Sequence, residues 1–231
     1  MKILELKNLT KKYGSLTALD QVDLTLETGQ IVGLLGPNGS GKSTMIKLTA
    51  GLLQPTEGEL LINGMAPCPE TKAITAYLPD RDFLPDYMNS RQLIDFYEDF
   101  FTDFRRDKAE KMLDELGLDK EMSLKKMSKG TKEKVQLILT MSREAKICFL
   151  DEPIAGVDPA SRDFILRTII SNYSEDALVV LSTHLITDIE AVLDDVVFLQ
   201  NGRVVMHKKT DEVREQDGKS VDALFREVFR C

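Results

Sequence analysis

From Gln21 to Gly29 the chain alternates, with Val22, Leu24 and Leu26 on one side and Asp23, Thr25 and Glu27 on the other. That is the pattern of a half-buried strand ending in a turn. The opening stretch MKILELKNL repeats it more weakly. QIVGLLG, residues 30–36, is apolar on both faces, as a central parallel strand is. A helical pattern follows at Met45, Ile46, Leu48, Leu52 and Leu53. QPTEGELLINGM then predicts a turn, a strand and an Asn63-Gly64 turn, and AITAYLP a strand stopped by Pro79.

From about Asn89 the period becomes helical. Leu93, Phe96, Tyr97, Phe100 and Phe104 recur mostly at three- and four-residue steps behind Ser90, a candidate cap, and this aromatic stripe reads as core packing. A second helix runs through Ala109, Met112, Leu113 and Leu116 to Gly117, and a third from Ser128 through Val135, Ile138 and Leu139. Strands return with ICFL, with ALVVLS and with the hairpin VVFLQNGRVVM around Asn201-Gly202. A helix from Phe164 to Ile170 separates the first two of these. In the tail, Val221, Leu224, Phe225 and Val228 share one helical face that should dock on the body. The expected organisation is one α/β core, residues 1–81 and 143–206, bracketing an all-helical block at 82–142, with a short tail at 207–231.

Composition narrows the function. The 231 residues are 42% hydrophobic and 29% charged, enough for a core without staples, and the net charge of −8 argues against a nucleic-acid footprint. The pairs Lys11-Lys12, Lys125-Lys126 and Lys208-Lys209 are separated by acidic stretches and read as solvated surface. Cys68, Cys148 and Cys231 form neither a metal pattern nor a disulfide framework, which suits a reducing cytosol. The start resembles no signal peptide, and no run approaches the ~18 apolar residues of a membrane span. A membrane role would have to come through a partner.

The chemistry concentrates after the apolar strand, in GPNGSGKST: Gly36, Pro37, Asn38, Gly39, Ser40, Gly41, Lys42, Ser43 and Thr44. Gly-x-x-x-x-Gly-Lys-Ser between a buried strand and a helix is the phosphate-loop pattern in its confirming context. Backbone N–H groups must turn inward to cradle phosphate oxygens, which needs dihedrals and close approaches that a Cβ obstructs. The helix N-terminus adds partial positive charge. Lys42 would neutralise the β- and γ-phosphates of a nucleotide, and the Ser43 hydroxyl would ligate Mg²⁺. KICFLDEP supplies the carboxylates, because a buried strand delivers Asp151 and Glu152 at its carboxyl end, where parallel sheets hold ligands. Asp151 would hold Mg²⁺ through its water shell, and Glu152 would polarise the attacking water.

The ordered set of phosphate loop, helical block, MSKGT, FLDEP, AGVDP and STH resembles that of the ATP-binding-cassette (ABC) ATPases over nearly the whole chain, closest to the ATPase subunits of bacterial exporters whose permease is a separate chain. The resemblance implies a P-loop NTPase fold, with a RecA-like parallel-sheet core, an antiparallel β subdomain and an inserted all-helical subdomain. It implies ATP and Mg²⁺ as ligands and ATP hydrolysis coupled to transport, with export as the direction. Tyr13, in KKYGSLTAL, matches the aromatic that stacks on adenine. Ser128, Lys129 and Gly130, in MSKGTKEK, match the signature that reaches the γ-phosphate held by the opposite subunit. Asp158, in AGVDP, matches the loop that aligns the dimer seam, and His184 the histidine that contacts the γ-phosphate.

Two positions depart from the family pattern. Asp80, in AYLPDRDF, stands where a glutamine usually approaches Mg²⁺, keeping an oxygen ligand but adding negative charge beside ATP. Lys129 and Thr131 replace the first glycine and the glutamine of Leu-Ser-Gly-Gly-Gln, which bears on the strength of ATP-driven dimerisation. Expected partners are a second ATPase subunit, identical or not, and a permease docking at about residues 80–101, where Phe83 and Tyr87 should be partly exposed. No nucleic-acid partner is expected. The chain would then sit in the cytoplasm, attached to the inner face of the membrane through the permease. Two alternatives stay open: a soluble ABC-type ATPase acting on nucleic acid or ribosomes, and a nucleotide-gated binding module without hydrolysis. The first usually brings coiled coils, tandem cassettes or basic arms, and the second would have little reason to keep Glu152 and His184.

Overall fold

The computed structural model describes residues 1–174, 176–216 and 218–229. Strands β1 (Lys2–Tyr13) and β2 (Leu16–Glu27) pair antiparallel around Gly14, and the alternation of β2 sends Val22, Leu24 and Leu26 inward. β3 (Gln30–Leu35) is buried on both faces and feeds the loop that opens α1 (Lys42–Thr49). β4 (Glu57–Ile62) returns to β1, completing an antiparallel sheet in the order β2-β1-β4. The short α2 (Pro69–Ala73) leads into β5 (Thr75–Leu78).

Three helices then leave the sheet: α3 (Ser90–Phe100), α4 (Arg106–Glu115) and α5 (Lys129–Met141). They enclose their own apolar cluster, with Leu93, Ile94, Tyr97, Ala109, Leu113, Val135 and Ile138 buried. The chain re-enters the sheet as β6 (Ile147–Asp151), followed by α6 (Pro159–Asn172), β7 (Leu178–Thr183) and α7 (Ile186–Ile189). The hairpin β8 (Asp195–Gln200) and β9 (Arg203–Lys209), then α8 (Thr210–Gln216) and α9 (Val221–Phe229), complete the described chain. The main sheet runs β5-β6-β7-β3-β8-β9, parallel except for β9. β3 therefore lies between β7 and β8. Helices α5 and α6 cover one face, and the small sheet and α1 cover the other, the α/β arrangement expected of the sequence.

The tail docks as its periodicity predicts, with Phe225 against Phe198 at 5.5 Å between ring centroids. Cys68 and Cys148 are free thiols, and Cys231 lies outside the described residues. Other details differ from the sequence reading. Asn89, not Ser90, caps α3: its side chain accepts from Gln92 N at 2.9 Å, while Gln92 Oε1 accepts from Asn89 N at 3.0 Å. Phe96 and Phe100 stack on each other at the surface rather than in the core, 52% and 69% exposed. Leu52, expected on the first helix, lies beyond its end and is exposed. Helix α6 extends past Phe164 and Ile170 at both ends, and β9 continues past residue 206 to Lys209.

Arg143 joins the helical block to the sheet. Its guanidinium, 5% exposed, makes a two-pronged pair with Asp103 at 2.9 and 3.0 Å. It also donates to the carbonyls of Thr75 and Ala73, each at 2.7 Å, and lies 4.0 Å from the centroid of Phe101. Every arm of the fork is used, which suits arginine and no other cation.

Candidate functional site

The loop between β3 and α1 takes its shape from two glycines. A Cβ on Gly36 would lie 2.3 Å from the Leu199 carbonyl oxygen, and Gly41, the N-cap of α1, has φ of 110°. A larger residue would break either position. The first amides of α1 have no intrahelical partner and face the cleft with the helix's positive end. Gly202, in the β8–β9 turn, donates to the Ser40 carbonyl at 2.9 Å and fixes the loop from the end of the adjacent parallel strand.

The cleft encloses about 530 Å³ and is lined by Tyr13, Leu16, Thr17, Ala18, Asn38 to Thr44, Asp80, Glu152, Asn201 and Gly202. Lys42 Nζ donates to the Gly36 carbonyl at 2.8 Å and lies 3.7 Å from Glu152 Oε1, an ion pair too long for a direct hydrogen bond. Burial lowers the Lys42 pKa, and the carboxylates of Glu152 and Asp151 oppose that shift.

Asp151 ends β6 fully buried. Its Oδ1 accepts from Ser182 Oγ at 2.6 Å and from Ser43 Oγ at 3.1 Å, whereas Oδ2 is buried without a hydrogen-bond partner. Burial raises this carboxyl above the usual range; the two hydroxyls oppose the rise and Asp80 adds to it. A carboxylate with one orphaned oxygen beside the Ser43 hydroxyl suits a hard cation, and Ser43 and Asp151 would hold Mg²⁺ there. Among the described residues no group of three or more His, Cys, Asp or Glu could hold a metal ion by itself.

Glu152 follows at φ 51°, a left-handed conformation rare for a side-chain-bearing residue, with its N–H donating to the Ser182 carbonyl at 3.0 Å. The turn aims its carboxylate between two partners, because Oε2 also meets His184 Nδ1 at 3.0 Å. Glu152 thus bridges Lys42 and His184, and His184 itself does not line the cleft. Tyr13 is 44% exposed at its rim, with Lys11 Nζ 5.1 Å from its ring centroid.

The signature residues and Asp158 do not line this cleft. Ser128 caps α5, accepting from Thr131 N at 3.2 Å; a Cβ on Gly130 would meet nothing within 4 Å, and Lys129 is 83% exposed. Asp158 caps α6 through Ser161 N at 3.0 Å. Phe83 and Tyr87 are 41% and 83% exposed, as expected of them. Sequence reasoning missed Ser182, which bonds both Asp151 and the Glu152 amide, and Asn201, which faces the cleft. The signal for Ser182 was present as the first polar residue of an otherwise apolar strand.

A family model described as "ABC transporter" matches residues 19–155. The chain is 32% identical over 241 residues to the ABC-type transporter ATP-binding protein EcsA of Bacillus subtilis (strain 168), covering 100% of this chain and 98% of that one. It is 28% identical over 217 residues to the ABC transporter ATP-binding protein YtrB of the same organism, covering 93% and 74%. A solved structure described as an ATP binding subunit of an ABC transporter superposes with a TM-score of 0.86 at 30% identity, covering 98% of this chain and 99% of that one.

Proposed function

This chain belongs to the ABC transporter family as an ATP-binding, ATP-hydrolysing subunit, and on that premise we propose how its own residues bind ATP and couple its hydrolysis to transport. Tyr13 stacks on the base, the amides of Gly39 to Thr44 cradle the phosphates, and Lys42 offsets their charge. Ser43 and Asp151 hold Mg²⁺, with Asp80 as a further oxygen at the cleft, and the ion when bound offsets charge on the β- and γ-phosphates. Glu152 takes the proton of the attacking water, and His184 orients Glu152 and meets the γ-phosphate. The observation that carries this reading is the buried, unpartnered Asp151 Oδ2 beside Ser43 and next to Glu152.

The open face at Gly130 and the exposed Lys129 are what an element needs in order to approach a nucleotide held by another subunit. The proposed working unit is therefore two ATPase subunits with two ATPs between their phosphate loops and opposed signatures, aligned by Asp158. Among the described residues no helix is long and apolar enough to cross a membrane. The proposed substrate carrier is a separate permease, docking over residues 80–101 with Phe83 and Tyr87 as anchors and holding the subunit to the membrane's inner face. The direction proposed is export, on the likeness of the ordered motifs to those of exporter subunits. The test is the mass of the Glu152→Gln variant in solution, by light scattering with and without ATP. A shift from monomer to dimer supports the sandwich; a monomer that still binds ATP refutes self-pairing and points to a different second subunit.

A further inference from the structure

Between the nucleotide cleft and the signature turn lies a second crevice of about 330 Å³, lined by Asp80 and Glu152 on one side and by Lys129, Lys132 and Gln136 of α5 on the other. Its walls are joined by side chains that the motifs do not use. Gln136, 3% exposed, donates Nε2 to Asp82 Oδ1 at 2.7 Å, and the same oxygen accepts from Leu84 N at 3.2 Å. Lys132 Nζ lies 3.5 Å from Asp82 Oδ2 and is hydrogen-bonded to Asp86. The Asp86 carbonyl is held in turn by Ser123 Oγ at 2.9 Å and Lys125 N at 3.0 Å. Lys132 and Gln136 stand one turn apart on one face of α5, and Lys132 N donates to the carbonyl of Ser128, the cap that opens the signature.

We propose that Lys132 and Gln136 are positioning residues that tie the loop carrying Asp80 to the helix that opens at Ser128, so that the two shift as one body. The inference rests on the reading above, in which Asp80 and Ser128 to Gly130 both face phosphate. It adds a mechanical link between them through two residues to which the motifs assign no role. The two ties differ in kind. Gln136 with Asp82 is a neutral-to-charged hydrogen bond whose donor is buried and whose acceptor is half-exposed. Lys132 bridges two half-exposed carboxylates and weakens as salt screens it over the Debye length of about 8–10 Å. The link is therefore part fixed and part salt-sensitive.

The test uses the full chain with ATP and Mg²⁺, comparing Lys132→Met, Lys132→Arg and Gln136→Leu with the parent. Three readouts are taken: kcat and KM for ATP, salt dependence of turnover, and amide exchange over residues 80–89. Removing either tie should leave KM within about twofold and lower kcat about 10- to 100-fold, the scale of a misplaced reacting group. Exchange at 80–86 should rise while the sheet stays protected, and Lys132→Arg should retain near-parental turnover. Lys132→Met should also lose the salt dependence that the parent shows. Turnover within twofold of the parent in both Lys132→Met and Gln136→Leu overturns the proposal. So does exchange that rises equally throughout α3 to α5, which marks a loosened block rather than a released loop. If Gln136→Leu does not fold, Lys132→Met, altered nearer the surface, carries the test. A parent chain without turnover overturns the reading of the site instead, and the exchange data then decide whether the tie exists.

Discussion

Replacing Ser182 with alanine removes one hydroxyl from the middle of the site and little else. Ser182 Oγ donates to Asp151 Oδ1 at 2.6 Å and accepts from Glu152 N at 3.1 Å, while the Glu152 amide keeps the Ser182 carbonyl at 3.0 Å. The backbone turn therefore survives the change. Asp151 is left with Ser43 alone on Oδ1 and with Oδ2 unpartnered, and Ser43 is also the hydroxyl assigned to Mg²⁺. A hydrogen bond to a charged group contributes about 1.5–3 kcal/mol. At about 1.4 kcal/mol per decade, kcat/KM should fall about 10- to 150-fold, with a higher Mg²⁺ requirement. The same loss should lower the melting temperature by about 3–12 °C, at about 2–4 °C per kcal/mol for a chain of this size. ATP turnover is measured against Mg²⁺ at 20 °C, well below unfolding, with far-UV circular dichroism as the check on folding. Turnover within threefold of the parent at an unchanged Mg²⁺ requirement would show that Ser182 does not orient Asp151, and the argument from its two hydrogen bonds would fail.

Tyr13→Ala should raise KM for ATP about 5- to 150-fold, from about 1–3 kcal/mol of lost stacking, and leave kcat nearly unchanged in steady-state assays. Arg143→Met leaves Asp103 without its buried partner and takes a donor from the carbonyls of Thr75 and Ala73. Urea unfolding should show about 3–5 kcal/mol of destabilisation, against less than about 1 kcal/mol for the exposed Arg105→Met. Burial pushes the Tyr97 phenol up to about 12. Its proton is held more tightly in the folded chain, so its contribution is complete below pH ~10 and lost as pH rises through about 12, worth about 3 kcal/mol over that window. Tyr97→Phe should match the parent at pH 8 and outlast it in alkaline unfolding near pH 12.

Much of this was legible in the sequence because the residues concerned act through local pattern. Alternation in β2, the two-sided apolar run of β3 and the carboxylates at the end of β6 each follow from one segment read alone. What escaped depends on choices between near-equal neighbours or on distant segments. Asn89 and Ser90 are both good caps, and Gln92, three residues after Asn89, decides between them by closing a reciprocal pair. The aromatic stripe misled because Phe96 and Phe100 sit one row away from the buried sector of α3, whose far edge is Ile94. Ser182 bonds across to a neighbouring strand, and Arg143 gathers partners from two separate segments; no periodicity records either.

The position of β3 has a consequence for how the protein is made. Its neighbours in the sheet are β7 and β8, and its loop is pinned by Gly202, so both strands that flank it and the turn that holds its loop leave the ribosome long after Lys42 does. An unfinished chain carries the phosphate-loop sequence but no frame to hold its amides convergent. The ability to grip ATP is thereby deferred until the C-terminal hairpin has been translated, and a growing chain is spared from occupying nucleotide before its second half exists.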